Sequence, residues 1–146
     1  MKHIAQSALE MEQFGKKNAK FLKGGHILLL HGELGTGKTT LVKGIACGLG
    51  IVETITSPTF AIMNLYTLAS PKQGITKLVH IDTYRLEHEK ELLEIGAQDY
   101  IGEDSTLCII EWPEKLTTIL QAKLCKDIFL CHTEEKNFRA IETKNF

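Results

Sequence analysis

The sequence predicts an α/β protein built on a mixed, mostly parallel sheet with helices on both faces. Two short runs carry this reading. Ile27-Leu28-Leu29-Leu30 and Leu107-Cys108-Ile109-Ile110 are apolar at every position, the pattern of strands covered on both faces rather than on one. A third observation is the glycine-rich segment that directly follows the first run and leads into a stretch of helical period. Strand, turn and covering helix in that order build a layered α/β domain.

The elements follow in chain order. Ser7-Ala8-Leu9-Glu10 reads as a capping box, in which Ser7 takes a backbone N–H and Glu10 reaches back. The helix it starts places Met11, Phe14, Phe21 and Leu22 on one face and ends at Gly24-Gly25. After the first apolar strand and the glycine-rich loop, Leu41, Val42, Ile45, Ala46 and Leu49 form the buried stripe of a second helix, with Gly50 as its C-terminal cap. Ser57-Pro58-Thr59-Phe60 is extended or turning, because the residue before a proline avoids the helical region. Ala61 to Tyr66 and Thr76 to Ile81 read as strands, antiparallel because only Ser70-Pro71-Lys72-Gln73-Gly74 is needed to link them. Glu87 to Ile95 reads as a short helix stopped by Gly96. The second apolar strand follows, and Ile128 to Cys131 with Phe138 to Ile141 form a terminal hairpin.

The chain of 146 residues suits one domain, residues 1–146, burying roughly two thirds of its unfolded surface. A net charge of −1 gives no global pull toward nucleic acid or anionic membrane. The cysteines Cys47, Cys108, Cys125 and Cys131 form no disulfide framework; Cys47 and Cys108 suit small buried hydrophobes. Cys125, Cys131 and His132 match no common zinc spacing. Reduced thiols, no apolar leader and no run approaching ~18 apolar residues place the protein in the cytoplasm, away from membrane.

Residues 32–39, Gly32-Glu33-Leu34-Gly35-Thr36-Gly37-Lys38-Thr39, satisfy the full G-x-x-x-x-G-K-[ST] pattern between a strand and a helix. This makes the fold class P-loop NTPase-like. Successive N–H groups of Leu34, Gly35, Thr36 and Gly37 point inward as an anion nest at the positive end of the following helix. Lys38 offers an ammonium to the β- and γ-phosphates, Thr39 a hydroxyl oxygen to Mg²⁺, and Thr40 a further hydroxyl. A cation held by one threonine also calls for a carboxylate at the end of a neighbouring strand. Asp82 ends Leu78-Val79-His80-Ile81, and Glu111 ends the second apolar run. One holds the metal and the other orients or deprotonates the attacking water. Glu111 is assigned to the metal and Asp82 to the γ-phosphate side, with the exchanged order left open. Ser57 and Thr59 lie where such proteins often sense a γ-phosphate.

Taken together, four segments resemble the TsaE (YjeE) family. They are Gly32 to Thr40, Ser57-Pro58-Thr59-Phe60, His80-Ile81-Asp82-Thr83-Tyr84-Arg85-Leu86 and Ile110-Glu111-Trp112-Pro113-Glu114. The likeness runs from about residue 7 to about residue 115. It implies ATP and Mg²⁺ as cofactors and weak ATPase activity within the bacterial machinery that makes threonylcarbamoyladenosine in tRNA. The partners it implies are the glycoprotease-like subunits of the threonylcarbamoyl transferase heterodimer, with tRNA reached only through that complex. Lys38 and Thr39 match the family's phosphate and metal residues, Asp82 and Glu111 its acidic pair, and Thr59 its switch-like threonine, so that Lys38, Asp82 and Glu111 are the catalytic candidates. Tyr84, Arg85 and Trp112 match further motif positions, Tyr84 with a switch or partner role, Arg85 with a nucleotide or partner role, and Trp112 as a wall beside the nucleotide or partner groove. By position, Ser7 lies near the base or ribose. Thr83 departs from the family, which more often has an apolar residue there. Two other functions remain as alternatives: a small-molecule P-loop kinase, although Arg85 and Arg139 are the only arginines and no Arg-rich lid is visible, and a binding module that uses nucleotide without hydrolysing it.

Overall fold

Ile27-Leu28-Leu29-Leu30 lies at the centre of a seven-stranded sheet, as its unbroken apolar pattern requires. The computed structural model describes residues 1–58, 62–121 and 123–146. Its strands are β1 (Lys2–Ala5), β2 (Ile27–His31), β3 (Met63–Lys72), β4 (Ile75–Asp82), β5 (Thr106–Glu111), β6 (Cys125–His132) and β7 (Arg139–Lys144), and its α-helices are α1 (Ala8–Asn18), α2 (Lys38–Gly48) and α3 (Lys90–Glu94). The strand order is β1-β7-β6-β2-β5-β4-β3. The four central strands, β6, β2, β5 and β4, run parallel. Antiparallel strands close both edges, β3 on β4 at one and β7 and β1 at the other.

Alternate residues of one strand serve two cores, because successive side chains point to opposite faces. Leu28, Leu30, Leu107 and Ile109 pack with Met11, Phe14, Leu41, Val42 and Ile45 of α1 and α2. Ile27, Leu29, Cys108 and Ile110 pack instead with Leu92 of α3 and with Leu86, Ala97, Ile101 and Leu116 from the connections. Helices therefore cover both faces, heavily on one and by a short helix and turns on the other. α1 and α2 meet closely. A Cβ on Gly44 would stand 2.1 Å from the Glu12 carbonyl oxygen, so only glycine allows this crossing.

Several boundaries differ from the sequence reading. α1 stops at Asn18, whose side-chain amide donates to the Phe14 carbonyl at 2.8 Å. A 3₁₀ turn, Ala19–Phe21, follows and leaves Phe21 exposed while Leu22 is buried. The predicted link Ser70 to Gly74 shrinks to the pair Gln73-Gly74, with φ of 46° and 76°, the signature of a two-residue hairpin turn. β3 runs on through Pro71 because it is an edge strand, where a missing N–H costs no ladder bond. α3 begins only at Lys90, since the Glu91 carboxylate accepts the N–H groups of Glu87 and His88 and makes their stretch a cap. β1 has a single buried residue, Ala5, too little pattern to reveal a strand. Cys108 is buried, whereas Cys47 is exposed on the outer side of α2 rather than packed. No described helix is long and apolar enough to cross a membrane.

Candidate phosphate-binding site

The turn from β2 into α2 sets the geometry of the site. Gly32 is crowded: a Cβ there would lie 2.6 Å from both the Leu130 carbonyl oxygen and Thr36 Oγ1. Gly37 caps α2 with a left-handed φ of 96°, which reverses the chain so that α2 points its N-terminus at the loop. The first N–H groups of a helix have no partner inside it, and they carry the positive end of the dipole. Thr36 faces inward, its hydroxyl donating to the Glu33 carbonyl at 2.8 Å. It braces the loop, while Leu34 stands exposed at the rim.

Lys38 is buried although it carries a charge. Its Nζ donates to the carbonyls of Gly32 (2.7 Å) and Glu33 (2.9 Å) and lies 4.1 Å from the centre of the Trp112 ring. Loss of water holds its pKa below the ordinary lysine value, against the opposing pull of Glu111, Asp82 and Glu114. An anion reaching the ammonium would relieve that desolvation.

β4 and β5 are parallel and in register, so Asp82 pairs with Glu111 at the carboxyl ends of both strands, where open α/β sheets bind ligands. The two acids nevertheless occupy unlike places. Glu111 is buried, and its Oε1 accepts from the Thr39 hydroxyl at 2.9 Å and meets His80 Nε2 at 2.9 Å. Asp82 lies further out, with Oδ2 accepting from the Ser57 hydroxyl at 3.1 Å and Oδ1 from the Tyr84 N–H at 2.9 Å.

The chain after β5 turns back sharply. Trp112 has a left-handed φ of 59°, and the buried Thr83 hydroxyl meets the carbonyls of Glu111 and Trp112. Thr83 thus gives a polar anchor to the turn. Tyr84 packs on Trp112 with ring centres 4.9 Å apart, and Lys115 Nζ caps the carbonyls of Thr83, Tyr84 and Leu86.

These elements enclose a cleft of about 550 Å³ walled by Lys38, Thr39, Ser57, Asp82, Arg85 and Trp112, within the ordinary range for small-ligand sites. Gly35, Gly37 and Thr40 also line it. A smaller hollow of about 140 Å³ opens across the loop, with Ser7, Gly35, Thr40 and Arg139 in its wall. Ser7 caps α1 there, its Oγ accepting the Glu10 N–H at 3.1 Å. Thr59 lies outside the described residues.

Sequence reasoning assigned no role to three residues that shape the site, His80, Thr83 and Lys115, and singled out the loop-bracing Arg139 without giving it one. The Arg139 guanidinium donates to the Gly35 carbonyl at 3.3 Å, and His132 Nε2 lies 3.2 Å from the Leu34 carbonyl. Both reach the loop from the far hairpin. His80 had a readable signal, since strand alternation puts it on the face of Asp82.

The parallel core, the loop between β2 and α2, and the acids at the strand ends define a P-loop NTPase-like α/β protein. The TsaE family, described as threonylcarbamoyl adenosine biosynthesis protein TsaE, matches residues 5–141. The chain belongs to the TsaE family. Over 120 residues it is 38% identical to the tRNA threonylcarbamoyladenosine biosynthesis protein TsaE of Treponema pallidum, covering 82% of this chain and 84% of that one. The protein of that name from Rickettsia prowazekii is 32% identical over 99% of this chain and 96% of its own. The one from Bacillus subtilis is 41% identical over 70% of this chain, but the match spans 60% of its length. The crystal structure of Bacillus subtilis YdiB superposes with a TM-score of 0.70 at 30% identity, covering 97% of this chain and 82% of that one.

Proposed function

We propose that this chain is the ATP-binding and ATP-hydrolysing component of the cytoplasmic machinery that makes N6-threonylcarbamoyladenosine in tRNA. In this reading it acts as a switch on the threonylcarbamoyl transferase heterodimer. The observation that carries the reading is the convergence of Lys38, Thr39 and Glu111 at the N-terminus of α2, with Asp82 beside them.

The residues fit a magnesium nucleotide. Lys38 and the first-turn N–H groups of α2 would hold the β- and γ-phosphates, whose oxygens can replace the Gly32 and Glu33 carbonyls around the ammonium. The Thr39 hydroxyl spends its proton on Glu111, which leaves its oxygen lone pairs for a cation. Threonine and carboxylate oxygens are the hard donors that Mg²⁺ takes, so Thr39 and Glu111, directly or through a water, would hold it. The bound cation would neutralise charge on the phosphates. Asp82, the more open acid, would orient the attacking water, with Ser57 on its outer oxygen. The Trp112–Tyr84 pair supplies an aromatic wall, and Ser7 with Arg139 borders the hollow on the nucleoside side.

The switch follows from where Asp82 and Glu111 sit. Asp82 leads through the buried Thr83 into the exposed Tyr84-Arg85, and Glu111 leads through the half-buried Trp112 and the buried Pro113 into the exposed Glu114. A γ-phosphate drawing on both acids would set those segments in one arrangement, and hydrolysis would release them. With a net charge of −1, the chain has no strong pull on tRNA by itself, so tRNA is reached through the heterodimer.

Phosphate release tests the proposal, measured for the chain alone and with the heterodimer added. Slow release alone and several-fold faster release with the partners is the expected result. An unchanged rate would rule out the switch, and transfer of phosphate to a small acceptor rather than to water would make the protein a kinase.

A further inference from the structure

We propose that His80 is a positioning residue for Glu111, donating from Nε2 to lock the carboxylate that takes the divalent cation. The inference rests on the magnesium-nucleotide reading of the site and adds a residue to it. His80 is fully buried, on the face of β4 shared with Leu78 and Asp82, and its Nε2 lies 2.9 Å from Glu111 Oε1. Its other nitrogen, Nδ1, is buried with no hydrogen-bond partner among the described residues.

A carboxylate that takes a cation is ionised, and that sets the tautomer. An ionised carboxylate only accepts hydrogen bonds, so the proton between the two side chains belongs to Nε2. Nδ1 is then a bare lone pair facing the core. Burying an imidazole costs free energy that an aliphatic side chain would not. Neighbouring positions on this face are Leu78 and Ile109, so aliphatic residues suit the place. The only hydrogen bond that the His80 ring makes among the described residues is the one to Glu111.

The geometry explains what that bond does. Thr39 and His80 both address Oε1 of Glu111, and neither uses Oε2. Thr39 sits in the first turn of α2 and is itself a metal-ligand candidate, so its bond must adapt when a cation arrives. His80 sits on a central strand inside the core and can keep its bond throughout. Partners of this kind hold ligating groups in orientation.

The test uses the full-length chain and calorimetric titration with ATP, first in EDTA and then across a Mg²⁺ series. His80→Phe, which keeps the ring volume but removes the donor, should need about tenfold or more extra Mg²⁺ to tighten ATP binding. Its affinity in EDTA should match wild type. His80→Gln, which restores an N–H donor, should recover most of the Mg²⁺ response. Thermal melts show whether each variant is folded. Nitrogen NMR of the wild-type imidazole provides a readout that needs no variant, and the proton should be on Nε2. A folded His80→Phe that follows wild type across the Mg²⁺ series would overturn the positioning role, as would a proton found on Nδ1 alone. In either case the metal site could stand. Wild-type binding with no Mg²⁺ dependence would instead overturn the site reading, and the role of His80 with it.

Discussion

Lys38→Ala is expected to weaken ATP binding and to lower hydrolysis by roughly 10²–10³-fold or below detection. The lysine is the fixed cation buried at the mouth of the loop, held by two carbonyls and the face of Trp112. Its depressed pKa records an ammonium stripped of water, and phosphate oxygens would stabilise that charge best. Alanine removes a desolvated charge as well as a phosphate partner, so the protein without nucleotide should melt at nearly the wild-type temperature. The rise in melting temperature on adding ATP and Mg²⁺ should disappear, because a ligand stabilises only what it binds. Calorimetric titration and phosphate release measure the two effects. Unchanged affinity together with unchanged turnover would remove Lys38 from the site.

The second large effect separates the two acids. Glu111→Gln is expected to make ATP affinity nearly independent of Mg²⁺, because the carboxylate beside Thr39 loses its charge. Asp82→Asn is expected to lower turnover by about 10²-fold or more, the scale of general acid–base contributions, with a much smaller change in binding. The different surroundings of the two acids support this division. Glu111 is buried against Thr39 and His80, and Asp82 faces Ser57 in the outer cleft. Binding with and without Mg²⁺, and turnover at saturating ATP, decide the matter. The opposite pattern would exchange the two roles.

The sequence revealed what is encoded by local pattern. Ile27 to Leu30 and Leu107 to Ile110 are apolar at every position because each strand faces two cores, and the loop between β2 and α2 needs a fixed string of residue types. Asp82 and Glu111 were legible as acids at strand ends, and the parallel register of β4 and β5 is what sets them side by side. What escaped depends on distant contacts. Arg139 reaches Gly35 across 104 positions of chain, and no local spacing signals that. β1 is a strand only because β7 offers it an edge. Pro71 suggested a loop, and only the position of β3 at the sheet margin makes it acceptable in a strand. Thr83 broke the family pattern, and its reason appeared only once the Glu111 and Trp112 carbonyls were seen around its hydroxyl.

The link between nucleotide hydrolysis and tRNA modification is tested most directly by reconstitution. Purified transferase heterodimer, this chain, tRNA and the threonylcarbamoyl donor are combined, and modified adenosine per heterodimer is followed over time, with each component omitted in turn. ATP is compared with a non-hydrolysable analogue. If the chain is the ATP-driven switch, modification runs through many cycles only when it and hydrolysable ATP are both present, and Lys38→Ala behaves like omission of the chain. Repeated modification that proceeds equally well without this chain, or with the analogue in place of ATP, would contradict that role.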